Sequence, residues 1–107
     1  MTSIVNFKKT ERFLLLYALY KKSNANCDYG YNLLELGMQE GLGNKTFKSA
    51  FDYLVTKRLI KLRAQTDNRD YFYFASLSEK GINAVEEVFT NETEATRYFP
   101  AFREMSM

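Results

Sequence analysis

The chain has 107 residues, of which 46% are hydrophobic and 16% aromatic, and it carries a formal net charge of +2. This composition is typical of one folded domain with a modest core and excludes an intrinsically disordered chain. The single cysteine, Cys27, excludes an intrachain disulfide, so it is either a free thiol or a bridge between two subunits.

The first predicted helix covers residues 11–22, with Thr10 as its N-cap. Residues 13–20 make this helix apolar on nearly every side, whereas one core needs only one apolar stripe. We therefore expect a second partner on the other side of this helix. That partner is either the C-terminal segment of the same chain or another subunit.

A short second helix is predicted at residues 32–38, with Leu33 and Leu36 facing inward together with either Leu34 or Met38. Residues 41–43 form a glycine-bearing turn, and the next helix begins at Gly43 or Asn44. Two helices joined by such a short turn predict a helix-turn-helix arrangement.

The third predicted helix, residues 44–57, has one apolar stripe and one polar face. Phe47, Ala50, Phe51 and Leu54 follow the helical spacing i, i+3, i+4 and i+7. Residues 60–64 then alternate apolar and basic side chains, which is typical of a half-buried strand. The polar face of the helix holds Lys45, Thr46, Ser49, Asp52, Tyr53, Thr56 and Lys57, with Lys48 at its edge.

Residues 65–70 form a predicted turn, followed by an aromatic strand at residues 71–77. In this strand we expect Phe72 and Phe74 to face the core, and Tyr71 and Tyr73 to face solvent. Ser78 is the predicted N-cap of the last helix, which has Ile82, Val85, Val88 and Phe89 along one side.

The predicted domain spans residues 1–107, with a core at about 10–89 and a C-terminal tail at 90–107. The tail is apolar enough that we expect it to pack on its own domain or on a partner. Its apolar side chains include Tyr98, Phe99, Phe102 and Met105.

Charge is unevenly distributed along the chain. Residues 45–69 hold seven basic and two acidic side chains, a net charge of +5, whereas residues 79–104 have a net charge of −3. An anionic partner would therefore meet the middle of the chain. The alternative is a solvated charged face without a partner.

The sequence argues against an enzyme, a cofactor and a membrane protein. It contains no histidine, which rules out Ser-His and Cys-His nucleophiles, and one cysteine cannot build a zinc site. Residues 41–46 look superficially like a phosphate-binding loop, but Asn44 separates the glycine from the Lys-Thr pair that such a loop requires. The longest apolar run, residues 13–20, is too short to span a membrane, and no signal peptide is recognisable. We therefore expect a cytoplasmic, non-catalytic protein.

Three segments carry a family resemblance: YGYNLL at 29–34, FDYLVTKRLI at 51–60 and YFYFASLSEKG at 71–81. In this order they resemble winged helix-turn-helix proteins, and within them the PadR-like and MarR-like transcriptional regulators. The resemblance implies an α+β fold with three helices, a two-stranded β wing and a C-terminal helix. It also implies a homodimer that binds DNA. The chain differs from the family at Arg58, where glycine is usual, and lacks a Pro-Gly-Thr-Leu-Tyr stretch before the third helix.

On this interpretation, the 44–57 helix enters the major groove of double-stranded DNA, and the 65–70 turn lies on the backbone or in the minor groove. Asp52 is unfavourable near phosphates unless it pairs with Lys48 or accepts a hydrogen bond from a cytosine amine. No residue points to a particular small-molecule effector. The candidate DNA-binding residues are Asn44, Lys45, Thr46, Lys48, Ser49, Lys61, Arg63, Asn68 and Arg69.

The competing hypothesis is a winged helix that binds another protein instead of DNA, because a fold does not determine a function. Its support is the low net charge, the acidic Asp52 on the polar face, and the aromatic residues Tyr53, Tyr71 and Tyr73, which we expect to be exposed.

Overall fold

Four α-helices and a three-stranded antiparallel sheet form the part of the chain that the computed structural model describes, residues 4–63 and 73–105. The predicted α+β class is thereby confirmed. In chain order the elements are α1 (Ile4–Ser23), β1 (Gly30–Asn32), α2 (Leu33–Gln39), α3 (Asn44–Thr56), β2 (Ile60–Leu62), β3 (Phe74–Leu77), α4 (Glu79–Thr90) and a 3-10 turn (Phe102–Glu104).

Helix α1 is the centre of the fold and contacts α2, α3, α4 and β3. It begins at Ile4, so the prediction that Thr10 caps it was wrong. Residues 4–9 contain neither glycine nor proline, and the helix extends through them. An N-cap requires non-helical backbone, whereas Thr10 lies inside the helix. The buried apolar residues of α1 are Phe13, Leu15, Leu16, Ala18 and Leu19.

The C-terminal segment covers the side of α1 that the other helices leave open. The Phe13 ring lies 5.2 Å from the Phe99 ring and 6.4 Å from the Phe102 ring, measured between centroids. Phe99 is only 1% exposed. Within the segment, the backbone N–H of Arg103 donates to the Glu92 carbonyl. Of the two partners expected for α1, the structure therefore supplies the segment of the same chain.

Strand β1 was not predicted, and it makes the sheet three-stranded, in the order β1-β3-β2. Gly30 lies opposite Ser76, and Asn32 lies opposite Phe74. A Cβ on Gly30 would fall within 3.0 Å of the Phe74 ring, so a larger residue at position 30 would displace that ring.

Asn32 also begins α2, since its side chain accepts a hydrogen bond from the Leu34 N–H at 3.0 Å. Leu33 and Leu36 are buried as predicted. The open choice between Leu34 and Met38 is decided for Leu34, which packs against the core, because Met38 is 64% exposed.

At the start of strand β3, Tyr73 faces the core and Phe74 faces away from it, which is the reverse of the prediction. The Tyr73 ring packs edge-on against Phe47 and Phe51, at centroid distances of 4.9 and 5.0 Å. Phe74 points to the other side of the sheet, beside Gly30. Side chains alternate along a strand, and the buried Ala75 shares the side of Tyr73, so the predicted orientations of Tyr73 and Phe74 were wrong. Tyr71 and Phe72 lie outside the described residues.

Helix α4 begins as predicted at Ser78, whose Oγ accepts a hydrogen bond from the Gly81 N–H at 2.9 Å. The predicted Val85 and Val88 are buried, and Ile82 and Phe89 are partly buried against the core. Gly81 and Ala84 are further buried residues of this helix that the prediction missed.

A polar contact joins α1 to α4: the Tyr20 hydroxyl donates a hydrogen bond to the Glu86 carboxylate at 2.8 Å. This hydrogen bond, helped by desolvation and by the negative charge of Glu86, raises the pKa of Tyr20 above its usual range.

Among the described helices, none combines the length and the apolar character that a membrane span requires.

Candidate nucleic-acid interface

Helix α3 has the two faces that its sequence predicts. Phe47, Ala50, Phe51 and Leu54 are all buried, and they pack the helix against α1 and the sheet. The opposite side is open to solvent because no described element covers it. Its exposed residues are Asn44, Lys45, Lys48, Ser49, Asp52 and Thr56, and Thr46 is half-buried at its margin.

The turn between α2 and α3 brings the start of α3 to the surface. Gly41 adopts a left-handed conformation, with φ of 82°, that suits a residue without a Cβ. Gly43 is the N-cap of α3 and offers no side-chain acceptor to the first N–H groups of the helix. These backbone donors therefore depend on water or on a ligand for hydrogen bonding.

Lys48 and Asp52 form an ion pair along the exposed face of α3, with 3.5 Å between Nζ and Oδ2. Their side chains are 64% and 60% exposed, so the pair adds only about 0.3–0.5 kcal/mol to helix stability. The pairing offered in the sequence analysis as one way to accommodate Asp52 is thereby confirmed.

The last turns of α3 hold an aromatic contact that the sequence analysis missed. The Arg12 guanidinium of α1 lies 3.9 Å from the centroid of the Tyr53 ring, and the Lys57 ammonium lies 5.7 Å from it. Tyr53 is thus half-buried beneath Arg12, contrary to its interpretation as an exposed aromatic. Arg12 is far from α3 in sequence, so no local pattern links the two residues.

Arg58 follows α3 in a left-handed backbone conformation, with φ of 61°. The N–H of Arg58 donates to the Val55 carbonyl, and the N–H of Leu59 donates to the Leu54 carbonyl at 2.9 Å. These two bonds form a Schellman motif, whose left-handed residue is usually glycine. The backbone conformation at position 58 therefore favours glycine over arginine.

Replacing Arg58 with glycine should raise the free energy of unfolding by about 1 kcal/mol, since a Cβ in this conformation costs roughly that amount. The midpoint of urea denaturation measures the change. Lys57→Gly is the matched control, because Lys57 has an ordinary φ of −84° and gains only flexibility. Equal stability of the two variants would contradict the prediction.

Lys61 in strand β2 and Arg63, which lies just beyond the strand, are both exposed. The Arg63 guanidinium donates a hydrogen bond to the backbone carbonyl of Asp28, just before β1. One of its five donors is thus used within the fold. Leu62, the last residue of this edge strand, is 58% exposed.

Two candidate residues of the predicted 65–70 turn, Asn68 and Arg69, lie outside the described residues, as do all positions from 64 to 72. Within residues 43–63, six side chains are basic and Asp52 is the one acidic side chain. Each of these seven is exposed. Residues 43–63 therefore have a net charge of +5 and form a positively charged part of the surface.

The described residues contain no group of histidine, cysteine or carboxylate side chains that could hold a metal ion.

Comparison with known proteins found no match: no family model, no curated protein and no solved structure matches the chain.

Proposed function

We propose that this protein binds double-stranded DNA and regulates transcription, with α3 in the major groove. The observation that carries the proposal is the exposed face of α3. Lys45, Lys48 and Ser49 project from its first two turns, while the opposite face is wholly buried. A helix fits the major groove, and its N-terminal residues come nearest to the base edges.

We further propose a winged helix-turn-helix fold of the PadR-like or MarR-like kind. Two features support it: α2 and α3 are joined by only four residues, and the antiparallel strands β2 and β3 follow α3 directly. The wing would be formed by the residues between β2 and β3, with Asn68 and Arg69 near its tip.

The proposed contacts fall into two groups. Lys45, Thr46 and Ser49 meet bases or phosphates in the groove, and Asn44 lies beside them at the start of the helix. Lys61 adds a phosphate contact from β2. Arg63 has donors left for a second phosphate after its bond to Asp28.

We also propose that the protein acts as a homodimer. A two-fold symmetric dimer places two recognition helices about 34 Å apart and predicts a near-palindromic site. The C-terminal tail no longer argues for this dimer, because it covers α1 of its own chain. Phe7, near the start of α1, is 62% exposed and is an available apolar contact.

Fluorescence anisotropy with mixed-sequence duplex DNA tests the proposal. Binding should weaken steeply as salt rises, because lysine and arginine displace counterions from phosphates. Lys45→Gln should reduce the slope of log affinity against log salt by about 0.9, the value for one phosphate. Lys22→Gln is the matched control, since Lys22 is exposed at the far end of α1.

Absence of binding at about 50 mM salt would overturn the proposal, because non-specific contacts are strong there. A winged-helix module that binds another protein would then be the better hypothesis.

Light scattering on the same samples gives the mass in solution, and a monomer at micromolar concentration would refute the homodimer.

A further inference from the structure

Asp52 is the one acidic residue on the exposed face of α3, and it forms an ion pair with Lys48. Asp52 lies seven residues after Lys45, which is about 10 Å along the helix axis. Its side chain is 60% exposed and pairs with the Lys48 ammonium, one turn back. This pair sits in the middle of the face that the proposed function places in the major groove.

We infer that the Lys48–Asp52 ion pair reads a single G·C base pair, with Lys48 on the guanine and Asp52 on the cytosine. This inference rests on the proposed DNA binding by α3. On this inference, Asp52 weakens binding to most DNA sequences and thereby selects the sequence that has G·C at this position.

The chemistry of the base edges supports this assignment. In the major groove, guanine presents two acceptors, N7 and O6, and cytosine presents the N4 amino donor beside them. A lysine donates to the guanine acceptors, whereas an ionised carboxylate can only accept and takes the cytosine donor. The pair on α3 has the same layout, since its donor and its acceptor lie side by side at 3.5 Å.

The other bases fit Asp52 less well. Thymine offers an acceptor and a methyl group, so it gives Asp52 no donor. Adenine offers an amino donor, but its partner thymine presents one acceptor to Lys48, where guanine presents two. Phosphates repel Asp52 on every sequence. With the correct base pair, Asp52 gains a hydrogen bond that offsets this repulsion, so discrimination arises at this position.

Selection from randomised duplexes with the unmodified protein, Lys48→Gln and Asp52→Asn tests the inference. The unmodified protein should require G·C at one position of each half-site. Both variants should lose that preference at the same position, by at least about fivefold, the lower limit for a good base contact. Asp52→Asn should shift the preference toward adenine, the base that asparagine pairs with.

The matched control is Glu87→Gln, which removes the same charge from the exposed side of α4. Its selected site should be the unmodified one. If both variants keep the base preference of the unmodified protein, the inference is wrong while the proposed function stands. If no protein in the set binds duplex DNA at low salt, the proposed function fails and the inference fails with it.

Discussion

Gly81→Ala should lower the free energy of unfolding by about 3 kcal/mol, the upper part of the range for overpacked sites. An added Cβ would lie within 3.0 Å of the Leu59 carbonyl oxygen. This atom belongs to the backbone and cannot rotate away. The Leu77 side chain, 3.1 Å from the same position, closes the other direction.

The substitution would disturb more than one contact, because hydrogen bonds connect the start of α4 to the residues that follow α3. Ser78 Oγ accepts from the Gly81 N–H and donates to the Arg58 carbonyl at 2.8 Å. The Ser78 N–H donates to the same Leu59 carbonyl, at 3.3 Å. Pushing Gly81 away from Leu59 therefore strains three hydrogen bonds together.

Urea denaturation followed by circular dichroism measures the loss. Lys80→Ala is the control, since Lys80 is exposed in the same turn and should change stability by no more than about 0.5 kcal/mol. Equal stability of the Gly81 and Lys80 variants would show that Leu59 can move aside.

Phe13→Ala should cost about 3–5 kcal/mol, as expected when a buried phenylalanine is reduced to alanine. Phe13 is fully buried, and its ring contacts Tyr17, Phe89, Phe99 and Phe102. Such a loss approaches the whole stability of a small domain, which is about 5–15 kcal/mol.

Because Phe13 joins α1 to the C-terminal segment, its loss should also release that segment. Trypsin should then cleave after Arg97 and Arg103 sooner than in the unmodified protein. Tyr29→Ala is the matched control, since Tyr29 is an aromatic residue that is 63% exposed and should change stability little. The packing described for the segment would be refuted if both variants lost equal stability or if cleavage were unchanged.

The proposed DNA-binding face could be predicted from the sequence because its pattern is local. Along α3, every third or fourth residue is apolar, and this spacing alone separates the buried face from Lys45, Lys48 and Ser49. The Lys48–Asp52 pair follows from the same helical geometry. Arg12 could not be found in this way, because its position over Tyr53 depends on how α1 packs against α3.

What the sequence by itself determined are the features that depend on near neighbours, namely the apolar stripe of α3 and the Ser78 cap. The tertiary structure alone decided three others, namely the pairing of β1 with β3, the inward face of β3 and the covering of α1 by the C-terminal segment. Strand β1 has only three residues, too few for a local signal, and becomes a strand by pairing with residues 74–76. Tyr73 faces inward because the buried Ala75 and Leu77 set the alternation of the strand, and this outweighs the greater hydrophobicity of phenylalanine at position 74.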